Sequence, residues 1–241
     1  RSSDLNMLRI ESLNAGYGDV QILWDMNMVV EDKTITALIG SNGVGKTTFL
    51  RTVAGALKPY KGRIYFQDQD ITHFPQQKRA KLGIMMVPEG RQLYRGLTVE
   101  DNMMMGAYTR KDKKKIKGDL DWIYSIMPRL KERRKQLAGT LSGGEAQMCA
   151  VSRGLMAAPK LLMIDELSLG LAPVVVDDLV KILKKIQSEW NLTVVLVDQD
   201  VQTSLEIAEK VYVMVHGHVE MEDQSEKLLA NPEIQKAYLG I

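Results

Sequence analysis

Between residues 5 and 39 short apolar runs alternate with turns: MLRIESL, WDMNMVV and TITALIG. Each run predicts a β-strand, and residues 62–72, GRIYFQDQDIT, predict a further hairpin. Residues 49–57 predict a short amphipathic helix, and LGIMMVP a strand that Pro88, lacking an N–H, brings to an end. Residues 98–136 are mostly helical in pattern and densely charged. Beyond residue 160 the two periods alternate. KLLMIDE, LTVVLVD and KVYVMVHGHVEME read as strands, the last turning back at Gly217. VVVDDLVKILKKIQSEW and VQTSLEIAEK read as helices, the first with Val176, Leu179, Leu183 and Ile186 on one face. Strand–helix alternation predicts an α/β fold, a parallel sheet covered by helices, with a helical insertion at about 90–157.

Composition narrows this little. The 241 residues are 45% apolar and 26% charged, ordinary for a globular chain with a real core. A net charge of +2 gives no reason to expect nucleic acid as a partner. A single cysteine, Cys149, excludes an intrachain disulfide and suits a reducing compartment. No apolar run approaches the roughly 18 residues that span a bilayer, and the polar start RSSDLNM lacks the apolar core of a leader. The expectation is a chain dissolved in water, or held at a membrane by a partner.

One motif names a ligand. Gly40-Ser41-Asn42-Gly43-Val44-Gly45-Lys46-Thr47 fits G-x-x-x-x-G-K-[ST] and lies between the strand TITALI and a helix opening at Thr47-Thr48. Glycines let successive N–H groups curl around phosphate oxygens, and the helix turns its positive end to the same anion. Lys46 would bridge the β- and γ-phosphates of ATP, and Thr47 would ligate Mg²⁺. A second strand must then end in an acid to steady the cation. LLMID supplies Asp165, and Glu166 stands one residue further, placed to orient or deprotonate the attacking water.

A second motif, TLSGGEAQ at 140–147, offers another phosphate reader: a hydroxyl from Ser142, exposed N–H groups at Gly143 and Gly144, then Glu145 at the start of a helix. With this pair of motifs, nearly the whole chain resembles the ATP-binding subunits of ABC transporters. The resemblance implies a P-loop NTPase (RecA-like) core. It also implies a single ATPase domain over 5–241, with an antiparallel β subdomain at 5–35 and 60–75 and a helical subdomain at about 90–157. It implies an ATPase needing ATP and Mg²⁺, in a head-to-tail dimer where the signature of one subunit, Ser142 to Glu145, faces the phosphate loop of an identical or paralogous partner. Transmembrane permease subunits, and indirectly an extracytoplasmic solute-binding protein, follow as partners. So does a peripheral place on the cytoplasmic face of a prokaryotic inner membrane. Tyr17 matches the aromatic residue that stacks on adenine, with Val20 or Ile22 beside it.

The chain also departs from the family pattern. Glu89 stands where Gln is usual and Gln199 where His is usual; Leu167 replaces the proline of DEP, and Ala172 falls where Asp is frequent. Glu89 can still approach Mg²⁺, and Gln199 can still donate a hydrogen bond toward the γ-phosphate, but without charge. VPEGR, SLGLAP, VDQD and the tail QKAYLG are similar to one of the two ATPases of branched-chain amino-acid importers, with Asp198 and Asp200 where Glu and Asn are commoner. Two alternatives stay open: a nucleotide-binding regulator with weak or no hydrolysis, and an ABC ATPase outside transport. The basic runs 110–120 and 129–139 read as solvated faces, and the three histidines lack metal-ligand spacing. Cys149 reads as buried and inert. Met103, Met104 and Met105 suit either core filling or an adaptable partner surface.

Overall fold

The structure, a computed structural model, describes residues 6–230. The expected start at residue 5 and the tail QKAYLG lie outside the described residues. Two sheets organise the chain. The first is antiparallel, in the order β2-β1-β4-β5, from β1 (Asn6–Tyr17), β2 (Val20–Glu31), β4 (Lys61–Phe66) and β5 (Gln69–Asp70). The runs read as short strands are joined into two of 12 residues. Register shifts let them stay paired, and Ser12 and Asp25 take positive φ of 45° and 48° there.

The second sheet runs β10-β9-β3-β8-β7-β6, from β3 (Ile35–Ile39), β6 (Ile84–Val87), β7 (Leu161–Asp165), β8 (Thr193–Asp198), β9 (Lys210–Val215) and β10 (His218–Gln224). All neighbours are parallel except the hairpin β9–β10. β3, β7 and β8 are buried at every position, because both faces are covered. The strand period of two divides their side chains. Ile35, Ala37, Ile39, Leu162, Ile164, Val194 and Leu196 join one core cluster, with Leu179, Leu183 and Ile186 of helix α7 (Pro173–Trp190). Leu38, Leu161, Met163, Val195 and Val197 join the other, between α1 (Lys46–Ala54) and the antiparallel sheet.

α1 begins at Lys46, three residues before the helix that the apolar period alone predicts. Gly45, at φ 114°, forms its N-cap, and Gly55, at φ 81°, ends it in a left-handed cap. The charged stretch divides into α3 (Val99–Met105), α4 (Lys113–Ile126) and α5 (Pro128–Glu132), followed by α6 (Gly143–Leu155). Later come α8 (Val201–Ile207) and α9 (Ser225–Leu229). Two short helices, α2 (Gln76–Leu82) and α9, have no counterpart in the sequence reading; α2 is the one beside the phosphate-loop helix. Its polar sequence shows no apolar stripe. It is held instead by Arg79, buried at 1% exposure, whose guanidinium donates to the carbonyls of Thr52, Val53, Thr72 and Phe74.

Candidate functional site

The parallel register gathers the predicted chemistry at one edge. Ile39 pairs with Asp198, Asp165 with Val197, and Val87 with Ile164, so four strands end level. The loop at 40–45 leaves β3 there, Glu89 follows β6, Asp165 closes β7 and Gln199 follows β8. Open α/β sheets bind ligands off these carboxyl ends.

The loop is shaped for close backbone approach. A Cβ on Gly40 would lie 2.5 Å from the Met214 carbonyl oxygen. On Gly45 it would meet Met214, Ile22 and Leu23 at 2.9–3.0 Å, on a backbone that L side chains rarely adopt. No side chain caps the first turn of α1, and no acidic residue lies in it. Its N–H groups and positive end are therefore available to an anion. Lys46 Nζ folds back to donate to the carbonyls of Gly40 (2.7 Å) and Ser41 (3.0 Å). Burial pulls its ammonium below the usual lysine range, opposed by Glu166, Asp165, Asp198 and Glu89.

A cavity of about 370 Å³ opens over this loop. Asn42, Gly43, Gly45, Lys46, Thr47 and Thr48 form one wall; Glu89, Glu166 and Gln199 face them, and Tyr17 stands on the rim. Ile22 lines it and Val20 does not, which separates the two residues named for the base. Arg51 donates to the Tyr17 hydroxyl at 3.2 Å. Gly40, Ser41, Val44 and Asp165 do not line it; of these Asp165 is buried, while Ser41 is exposed elsewhere on the loop. A larger hollow of about 1060 Å³, between α7, α8 and α9, contains none of the predicted site residues.

Thr47 Oγ1 donates to Asp165 Oδ1 at 3.2 Å, while Asp165 Oδ2 is buried without a hydrogen-bond partner. Burial pushes the Asp165 carboxyl up, the Thr47 hydrogen bond works against this, and Glu89 reinforces it. Glu166 is pushed up by burial first, then by Glu89 and Asp198. Its backbone sits in the left-handed region, φ 58°, and its N–H donates to the Val197 carbonyl at 2.8 Å.

Ser142, Gly143, Gly144 and Glu145 come together at the start of α6 but do not line the cavity. Ser142 Oγ accepts from the Glu145 N–H, and Glu145 Oε2 accepts from the Ser142 N–H at 3.0 Å, a reciprocal cap. Glu145 Oε1 also meets Arg133 Nε at 2.5 Å. Arg91 ties this helix to the loop beyond Glu166, donating to Gln147 of α6 (3.3 Å) and to the Leu169 carbonyl (3.1 Å).

The family profile described as ABC transporter matches residues 23–168. The chain belongs to the ABC transporter family. It is a P-loop ATPase of that family. It is 40% identical to the high-affinity branched-chain amino acid transport ATP-binding protein BraG of Pseudomonas aeruginosa, over 97% of this chain and 100% of that one. It is 36% identical to the probable branched-chain amino acid transport ATP-binding protein LivF of Archaeoglobus fulgidus, over 98% and 99%. In fold it matches the crystal structure of a nucleotide-free ATP-binding cassette from an ABC transporter, with a TM-score of 0.85 at 24% identity, covering 98% of this chain and 100% of that chain.

For this ABC cassette, the oxygens present fit a hard divalent cation. Thr47 brings a hydroxyl, Glu89 and Asp165 carboxylates, and Asp165 Oδ2 is buried with its acceptor capacity unused. Among the described residues no group of three or more His, Cys, Asp or Glu is arranged to hold a metal, so phosphate and water oxygens would complete the shell. Two features escaped the sequence reading. Leu169 reaches the cavity through a loop whose path no motif reveals. Asp198 appeared there as a substitution beside Gln199, and its contacts appear only once two loops are folded together.

Proposed function

We propose that this chain is the ATP-hydrolysing subunit of an importer for branched-chain amino acids, working with Mg²⁺ on the cytoplasmic face of a prokaryotic inner membrane. The observation that carries the reading is the cavity itself, where the phosphate loop, Glu166 and Gln199 converge above Asp165. The solute comes from the BraG and LivF relatives, because an ATPase of this kind does not touch what is transported. Residues 5–241 act as one ATPase domain, with the β and helical subdomains at the expected bounds.

Lys46 exchanges its two carbonyl partners for β- and γ-phosphate oxygens. Thr47, Asp165 and Glu89 would hold Mg²⁺, and the cation would supply positive charge against the phosphates. Glu166 orients the attacking water and takes up its proton as the terminal phosphate leaves. Gln199 donates an uncharged hydrogen bond to the γ-phosphate. Tyr17 stacks on adenine with Ile22 beside it. Ser142, Gly143 and Gly144 complete the site of a second copy or a paralogue, with Glu145 holding their turn, since cassettes of this family pair. No helix among the described residues is long and apolar enough to cross a membrane, so transmembrane permease subunits provide the path and an extracytoplasmic binding protein delivers the solute. Met103 is fully buried, whereas Met104, Met105, Tyr94 and Tyr108 are exposed, and these four offer the permease an adaptable surface.

The test is steady-state phosphate release with Mg-ATP for the parent and for Glu166→Gln, then leucine uptake in vesicles carrying the permease subunits. Release that depends on Glu166 and drives uptake is expected. Binding without release would favour the regulator, and release without uptake would remove the importer.

A further inference from the structure

Asp198, the last residue of β8, is fully buried, and both of its carboxylate oxygens are engaged. Oδ2 accepts from the N–H groups of Leu167 (3.1 Å) and Ser168 (3.2 Å). Oδ1 accepts from the Ser168 hydroxyl (3.0 Å) and from the N–H groups of Gln199 (2.8 Å) and Asp200 (3.1 Å). The five donors come from two loops. One begins beside Glu166 and the other contains Gln199, two of the three side chains that face the phosphate loop across the cavity. With the Glu166 N–H on the Val197 carbonyl, three successive N–H groups, at 166, 167 and 168, are held by residues 197 and 198. Glu166 is left-handed, and a non-glycine residue keeps such a backbone only where its surroundings over-determine it.

We propose that Asp198 is a positioning residue for ATP hydrolysis: its buried carboxylate clamps the Glu166 loop and the Gln199 loop into one unit. This rests on the reading of the cavity as an ATPase site. A carboxylate suits the task because it is acceptor-only and both oxygens take more than one donor. Asparagine has the same shape, but its amide nitrogen would point N–H toward N–H, so one loop must let go. Glutamate keeps the acceptors on a stem one methylene longer.

The experiment uses the full chain as Asp198→Asn and Asp198→Glu, each checked by thermal melting. Asp198→Asn is expected to lower kcat by about 10- to 100-fold while KM for ATP stays within about threefold, as for a misplaced catalytic group. Asp198→Glu is expected to recover at least about a third of the parental rate, since it restores the acceptors that asparagine loses. A second readout needs no turnover. Without nucleotide, exchange protection of the amides at 167, 168, 199 and 200 should fall about tenfold or more in Asp198→Asn, while β7 and β8 keep theirs. Parental kcat, unchanged protection, or a KM that rises in step with the fall in kcat would each overturn the assignment. If Asp198→Asn does not fold, Ser168→Ala removes one of the five donors; a two- to fivefold fall in kcat is expected, on the order of one modest hydrogen bond, and no fall overturns it. If the parent itself releases no phosphate, the ATPase reading fails, and the exchange pattern still decides whether Asp198 clamps the loops.

Discussion

Helices α1 and α6 both open in glycine-rich sequence that reads as an anion site, yet their first turns are closed differently. α1 has no side-chain cap and no acid in its first turn, and its lysine folds back onto carbonyls of its own loop. α6 already carries a complete capping box, and Glu145 adds a negative charge held by Arg133. Four free N–H groups and a positive helix end attract phosphate; a turn neutralised by its own glutamate does so weakly. The first site is therefore suited to capture nucleotide within one chain. The second is rigid and nearly neutral, suited to complete a nucleotide held elsewhere. In the proposed reading, the same residue chemistry would serve two tasks because one turn is left open and the other closed.

Four substitutions test this contrast, from large effects to small. Lys46→Ala should weaken ATP binding by about 2–5 kcal/mol, roughly 30-fold to a few thousandfold in Kd by calorimetry, because it leaves phosphate charge unpaired. Parental affinity in that variant would end the view that α1 is the capturing site. Gly45→Ala should cost about 1–3 kcal/mol of backbone strain. It should appear both in the melting temperature and in nucleotide affinity, since φ is 114° and three side chains crowd the added carbon. Ser142→Ala should destabilise α6 by about 1 kcal/mol, as for a lost N-cap, leave ATP binding to the single chain unchanged, and lower turnover. A matching loss of single-chain affinity would show that the two helix ends are equivalent after all. Smallest is Gln199→His, expected to raise turnover by a few fold because a charged donor makes the stronger hydrogen bond; an unchanged or lower rate would show that glutamine already suffices here.

The phosphate loop was legible because its chemistry is local. Glycine spacing, a preceding buried strand and a following helix are all within one stretch. The acid pair 165–166 was legible for the same reason, as a buried strand that ends in charge. Tyr17 was named only through the family resemblance, and it lines the cavity. The polar helix α2 was not legible, since its stability comes from four carbonyls brought to Arg79 from distant segments. Nor was the role proposed for Asp198, whose donors lie 30 or 31 residues upstream in one loop and one or two residues downstream in the other.

From the order of residues alone came the ligand class, the alternating α/β pattern and the groups proposed to meet a triphosphate, because each was read from neighbours within a dozen positions. Folding was needed to level four strand ends at one edge, to separate Ile22 from Val20 at the cavity, and to close the cap on α6 while leaving α1 open. Those outcomes depend on sheet register and on hydrogen bonds between segments far apart in the chain, which spacing along a sequence does not encode.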